Sequence, residues 1–417
     1  MQAMANNGHA LSQTTLGLVY LLGGFGQAAD PPQAVQWFRR AADQGVAEAQ
    51  VHLGVCLASG EGAEAAPAET FRLFSAAAAQ GNADGQYYVG ACLQNGVGVA
   101  PSPEAAVKAY QAAAEQNHAQ AEFQLGMCHE AGLGVPRSQT EAVKWFARAA
   151  DHGHMEAVYN VGVYHLNGIM PDSSDEAAVD CLRKAADHGW PPAQVNLAIC
   201  YATGRGVAQS LEDAARWYRA AAEQGMTHAQ FNLAVCYQDG KGVEASPELA
   251  VQWYQRAAEG GSIAAQFNLG LCYQHGSGVA ASPTQAVEWF RRAADQGATR
   301  AQLLMGQACQ LGHGLPQDHA QAAQWYRRAA DQGDARAQVL LGLACHIGRG
   351  LPQDYTEAAQ WFQRAADQDD PDAPRLLAEC YASGRGRPQD PDTAARLFER
   401  AAAVADKHKE QEEEEEK

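Results

Sequence analysis

The chain has 417 residues, 47% of them hydrophobic, and carries a formal net charge of -18. An acidic surface repels phosphate, which excludes nucleic acid and anionic membrane as main partners. No run of 18 apolar residues occurs, which excludes a membrane-spanning helix of the usual length.

Residues 1–9 end in Asn-Asn-Gly-His and read as a partial repeat or an N-terminal cap. The following apolar stretch, Leu16 to Phe25, is short, holds Gly17, Gly23 and Gly24, and has no basic segment before it, so it does not read as a signal peptide. From position 10 onward one unit recurs. Blocks of 36 residues start at Ala47, Ala83, Ala119, Met155, Pro191, Thr227, Ile263, Thr299, Ala335 and Pro371 without gaps, and one copy with an extra turn residue precedes them from Ala10. Recurrence at a fixed period predicts a solenoid, here one array over 10–406. The last segment, 407–417, is Glu-rich and reads as an acidic disordered tail.

Each unit predicts two helices. The first carries apolar or small residues at repeat positions 3, 7, 8, 11 and 14, as in Ala229, Leu233, Ala234, Tyr237 and Gly240, which form one stripe. Small residues at position 8, such as Gly54, Gly126, Gly270 and Gly342, let a neighbouring helix approach. Glycines at positions 14 and 16 stop that helix in a left-handed turn. Position 20 is Ser or Asp in every unit except at Ala66, which predicts a side-chain cap worth about 1 kcal/mol for the second helix. Trp then recurs at position 27, from Trp37 to Trp361, followed by Phe or Tyr and an Ala-Ala pair. Arg at position 30 and an acid at position 33 predict exposed i, i+3 ion pairs, such as Arg292 with Asp295.

The string Ala-x-Ala-Gln-x-Asn-Leu-Gly-x-x-Tyr-x-x-Gly-x-Gly-Val, then Ala-x-x-Trp-Tyr/Phe-x-x-Ala-Ala-x-x-Gly, resembles the Sel-1-like repeat, a relative of the tetratricopeptide repeat; Ile263 to Gln296 follow it closely. The resemblance implies an all-α, right-handed superhelical α-solenoid with first helices on the concave face. It also implies adaptor or scaffold roles.

The residues that might carry chemistry fall into the repeat pattern instead. Seven of the ten cysteines sit at position 10, Cys309 and Cys345 at 11, and Cys181 at 27. Packed helices stand about 8–10 Å apart, whereas a disulfide needs Cα atoms within about 7 Å. Buried free thiols are therefore expected, and with them a cytoplasmic address. His152, His154, His165 and His188 cluster in the sequence but not at one repeat position, and read as surface histidines near helix ends rather than metal ligands. The glycine pairs follow a helix, not a strand, so they do not form a phosphate loop. No catalytic, cofactor or metal constellation stands out.

The face of the first helix opposite the core stripe is apolar where polar residues are expected. Position 5 carries Tyr87, Phe123, Tyr159, Phe231 and Phe267, and position 9 carries Val55, Met127, Val163, Ile199, Val235, Leu271 and Leu343. Asn160, Asn196, Asn232 and Asn268 run beside them at position 6. Two readings stay open: tight curvature covers the aromatics, or they form a concave groove for a protein or peptide segment. The asparagines likewise bond either an extended peptide or the adjacent repeat. The expected function is a non-enzymatic scaffold or adaptor for other proteins, with self-association as a further possibility. The alternatives are the β-lactamase-like branch of the family, whose paired cysteines are missing here, and a substrate adaptor of a membrane ubiquitin-ligase complex, which needs a leader or an anchor. The repeat at 155–190 departs from the pattern at Met170, Cys181 and Trp190-Pro191-Pro192, which predicts a local change of curvature.

Overall fold

A computed structural model describes residues 2–24, 26, 28–170 and 172–415, with side chains as far as 403. All its elements are helices, 23 in order, with no strand among the described residues. The contacts divide them into two units, 1–209 and 210–417. Within each unit the helices pack as antiparallel pairs, each second helix also meeting the next first helix.

The start and stop signals act as the residue types require. Nine of the ten Ser or Asp caps before second helices are seen directly in the side-chain oxygen that accepts a first-turn amide, from Asp30 to Asp354. The tenth, Asp390, accepts from Thr393. Ala66 makes no such bond. First helices end at left-handed glycines such as Gly240, φ 66°, and Gly276, φ 71°. The second turn glycine is needed for space as well. A Cβ on Gly314 would lie 2.2 Å from the carbonyl oxygen of Pro283 in the preceding repeat.

The core is the ring at position 28, after the tryptophan. Phe38, Phe146, Tyr254, Tyr326 and Phe362 are fully buried. The small position-8 residue receives that ring: a Cβ on Gly270 would be 2.5 Å from Phe290, and one on Gly342 2.6 Å from Phe362, while in 155–190 Leu182 takes the ring's place against Gly162. The position-27 tryptophan has another role. Arg40, Arg148, Arg256, Arg292, Arg328 and Arg364 lie over the Trp ring of their own helix, 4.3–4.8 Å from its centroid. Among the described residues the expected position 30–33 ion pairs do not form; Arg292 pairs with Glu288 and Arg328 reaches Asp295 of the preceding repeat. Stacking wins because the indole beside the guanidinium is buried or half-buried, whereas an exposed ion pair is worth only a few tenths of a kcal/mol.

A glutamine staple, not foreseen from the pattern, joins consecutive repeats. The position-4 glutamine is buried. Its amide donates to a carbonyl near the C-terminus of the preceding second helix, as Gln302 to Ala294 (3.1 Å) and Gln338 to Ala330 (3.2 Å). Its oxygen accepts from the position-34 glutamine of its own repeat, as from Gln332 (2.8 Å) and Gln368 (3.0 Å). Each staple thus supplies a helix-end carbonyl and leaves neither end of the buried amide unpaired.

Four repeats break the staple: Gly260 stands at position 34 of 227–262, Pro374 at position 4 of 371–406, and two further repeats replace both glutamines. In 119–154, Glu122 replaces the glutamine and is fully buried, held by Arg148 (2.9 Å) and His152 (2.6 Å). Arg148 also donates to Ala114, taking over the carbonyl the glutamine would reach. In 155–190 the position is Val158, and His188 turns back to the carbonyl of Lys184. That repeat also closes its turn differently, with Ser173 bonding Met170 through both its amide and its hydroxyl. At the C-terminus the last helix, Pro391–Glu415, continues into the segment expected to be a disordered tail. Glutamate is a good helix former, and this run is joined without a break to a capped helix.

Candidate protein-binding face

The first helix presents three sets of side chains off its core stripe, and their fates differ. Position 5 is mostly packing. Phe123 is only 4% exposed and stacks on His154 at 4.3 Å, with Phe146 behind it. Tyr87 is half-buried between Tyr110 and a stacked His118. Phe231 and Phe267 are half-buried against Tyr254 and Phe290, both at 5.9 Å. A first helix is flanked by its own second helix and by the start of the next first helix, so the side chain at 160° from the core stripe is still enclosed. Of the two readings left open for position 5, the covered one describes Phe123, a core residue, while Tyr87, Tyr159, Phe231 and Phe267 are half-buried.

Position 6 links repeats. Asn196 donates to the hydroxyl of Tyr159 in the preceding repeat (3.3 Å), and Asn268 to that of Tyr254 (3.2 Å). Asn160 and Asn232 are half-buried at the same position. Burial raises the phenols of Tyr87 and Tyr159 above their ordinary range, and Tyr254 is pushed up to about 12, so all stay neutral. What remains open is apolar and lies further along the helix. Met127 and Ile199 at position 9 are exposed, and so are Leu311 and Ile347 at position 13, each 58%. The last two were missed by the sequence reading; their signal was the replacement of a small or polar residue at that position in two successive repeats.

The groups with conventional chemistry are occupied otherwise. All ten cysteines are free, nine of them buried, and burial raises their thiols. Of the four clustered histidines, His165 is buried rather than on the surface, because it falls on the inner side of its helix. His154 is a helix N-cap, its Nδ1 accepting from Ala157 and its Nε2 meeting Gln120. No group of three possible metal ligands converges among the described residues. No helix there is long and apolar enough to cross a membrane.

The family model for the Sel1 repeat matches eleven successive segments, from 10–46 through 371–405. The chain belongs to the Sel1 repeat family. Among solved structures it is similar to a protective antigen of uropathogenic Escherichia coli with an SLR fold, at 32% identity and TM-score 0.83, covering 96% of this chain and 86% of that one. It is also similar to a Sel1 repeat protein from Oxalobacter formigenes, at 33% identity and TM-score 0.57, covering 78% and 93%. No curated protein matches. Sel1 repeat proteins of this kind are generally protein-interaction scaffolds without catalysis.

Proposed function

We propose that this chain is a non-enzymatic scaffold or adaptor that holds segments of other proteins along the first-helix face of its repeats. The observation that carries this reading is exposed aliphatic side chains on first helices whose other faces are buried, Met127 and Ile199 in one unit and Leu311 and Ile347 in the other. Isolated exposed apolar residues are ordinary, but Leu311 and Ile347 occupy one position of two successive repeats. The half-buried Asn196, one turn before Ile199 and bonded to Tyr159, adds a hydrogen-bonding edge. Ten free thiols fit a reducing compartment, which supports a cytoplasmic address.

The test is affinity capture with the intact chain against a variant carrying Met127→Asp, Ile199→Asp, Leu311→Asp and Ile347→Asp. All four side chains are exposed, so circular dichroism should be unchanged. Loss of the captured proteins at constant helicity is the expected outcome. An identical set of captured proteins would sink the reading.

A further inference from the structure

Two neighbouring pockets in the second unit repeat the same construction one period apart. The first, about 400 Å³, lies among the helices Ile263–His275, Pro283–Asp295 and Thr299–Leu311. Phe290 and Leu304 line it, Leu311 stands at its rim, and His313 at its lip. The second, about 130 Å³, has Tyr326, Leu340, Ile347 and Arg349 in the corresponding places. His313 and Arg349 are both exposed, and Arg349 makes no ion pair among the described residues. The next lip position is again a basic residue, Arg385, which lies over the Tyr355 ring.

Charge selects the occupant. The whole chain carries -18, yet neither pocket is lined by a carboxylate. The nearby Asp318 and Asp354 are engaged as helix caps. A further copy of this pocket, about 370 Å³, lies in the first unit and serves as an internal contrast. There Asn95 replaces the aliphatic rim and Val97 the basic lip. A basic lip alone recurs beside polar rims, as Arg205 with Thr203, Lys241 with Asp239 and Arg385 with Ser383, but an aliphatic rim and a basic lip coincide only at Leu311 with His313 and Ile347 with Arg349, the two neighbouring pockets.

We propose that these two pockets bind an acidic segment of a partner protein, its aliphatic side chains filling the pockets and its carboxylates meeting His313, Arg349 and Arg385. The proposal rests on the scaffold reading above and specifies its partner. Packed helices stand about 8–10 Å apart, and a polyproline-II segment returns to the same face every three residues, after about 9 Å. The fitting segment thus carries aliphatic anchors three residues apart, with Asp or Glu between or beside them.

The experiment is selection from a displayed random dodecapeptide library on the intact chain, followed by titration of the enriched peptides. Enrichment of Asp and Glu together with spaced Leu, Ile, Val or Met is expected. Affinity should fall about tenfold or more in Arg349→Glu and in the Leu311→Glu, Ile347→Glu pair, weaken with added salt, and stay unchanged in Asn95→Glu. Enriched peptides that bind these variants as tightly as the parent would overturn this proposal while leaving the scaffold reading standing. So would peptides without acidic excess. Failure to enrich any peptide would overturn both. A concentration-dependent self-association abolished by Ile347→Glu would overturn the partner in favour of a second copy of the chain.

Discussion

Residues 119–190 and residues 263–370 use the same repeat but hold it together differently. In the second stretch every junction has its glutamine pair, a buried Gln266, Gln302 or Gln338 bonded to an exposed Gln296, Gln332 or Gln368. In the first stretch one junction uses a buried carboxylate with Arg148 and His152, and the next has Val158 and no amide. Both stretches keep the ring-on-glycine core, Phe146 on Gly126 and Phe290 on Gly270. The apolar core alone therefore suffices to stack repeats, and the polar staple tunes the junction between them. Because such arrays gain stability repeat by repeat, changes at one junction should register locally in hydrogen exchange.

The largest effect is expected at the turns. Gly314→Ala would force a Cβ to 2.2 Å from the Pro283 carbonyl at a φ of 77°, and should cost about 2–4 kcal/mol in chemical denaturation. Met170, at the same position of the 155–190 repeat, is not among the residues with positive φ. Met170→Gly should therefore gain nothing and lose about 0.5–1 kcal/mol through backbone entropy. A stabilised Met170→Gly would mean that this turn is strained after all.

The staples come next. Glu122→Leu should cost about 2 kcal/mol, since charge-assisted bonds are lost at a fully buried site. The cost stays moderate because Arg148 and His152 keep partial contact with water. Gln338→Leu should cost about 1 kcal/mol, because the Ala330 carbonyl retains its bond from Gly333. The double change Glu122→Gln, His152→Gln should recover most of the Glu122→Leu loss by rebuilding the neutral pair. If it is worse than Glu122→Leu, the neighbourhood of Arg148 has adapted to charge and the two stretches are not interchangeable. Installing the missing pair, Val158→Gln with His188→Gln, should add at most about 1 kcal/mol.

The repeat period, the caps and the helix stops were readable because each depends on a residue type at a fixed offset. Ala66 shows this from the other side, since the lone missing cap residue makes no cap bond. What escaped were properties set by the neighbouring repeat. The helical wheel placed position 5 opposite the core stripe, but His154, which ends the same repeat and caps the next first helix, covers Phe123. The Arg-x-x-Asp spacing suggested ion pairs, but the tryptophan one turn earlier offered its face to the arginine. The position-4 glutamines were visible as a column, yet their purpose depends on a carbonyl eight residues back across the helix junction. The exposed Leu311 and Ile347 were likewise visible only once the rest of their helices was seen to be buried.

The smallest effect separates the two stretches by pH. In the first, His154 caps its helix with Nδ1 as acceptor while Nε2 meets the Gln120 oxygen, an arrangement that requires the neutral ring. In the second, Ser262 and Asp334 cap the equivalent helices with oxygens. Burial lowers the His154 pKa below its ordinary value of 6.5. The unfolded chain therefore binds the proton more readily than the folded one, and stability rises with pH across that interval. The contribution is complete above about pH 6.5 and is lost as pH falls through the lowered folded value. His154→Asn keeps a capping oxygen but does not titrate. Denaturant midpoints followed from pH 7.5 down to pH 5 should fall less steeply in His154→Asn than in the parent. Parallel curves would show that the cap tolerates the charged ring and that the contrast between the stretches ends at their staples.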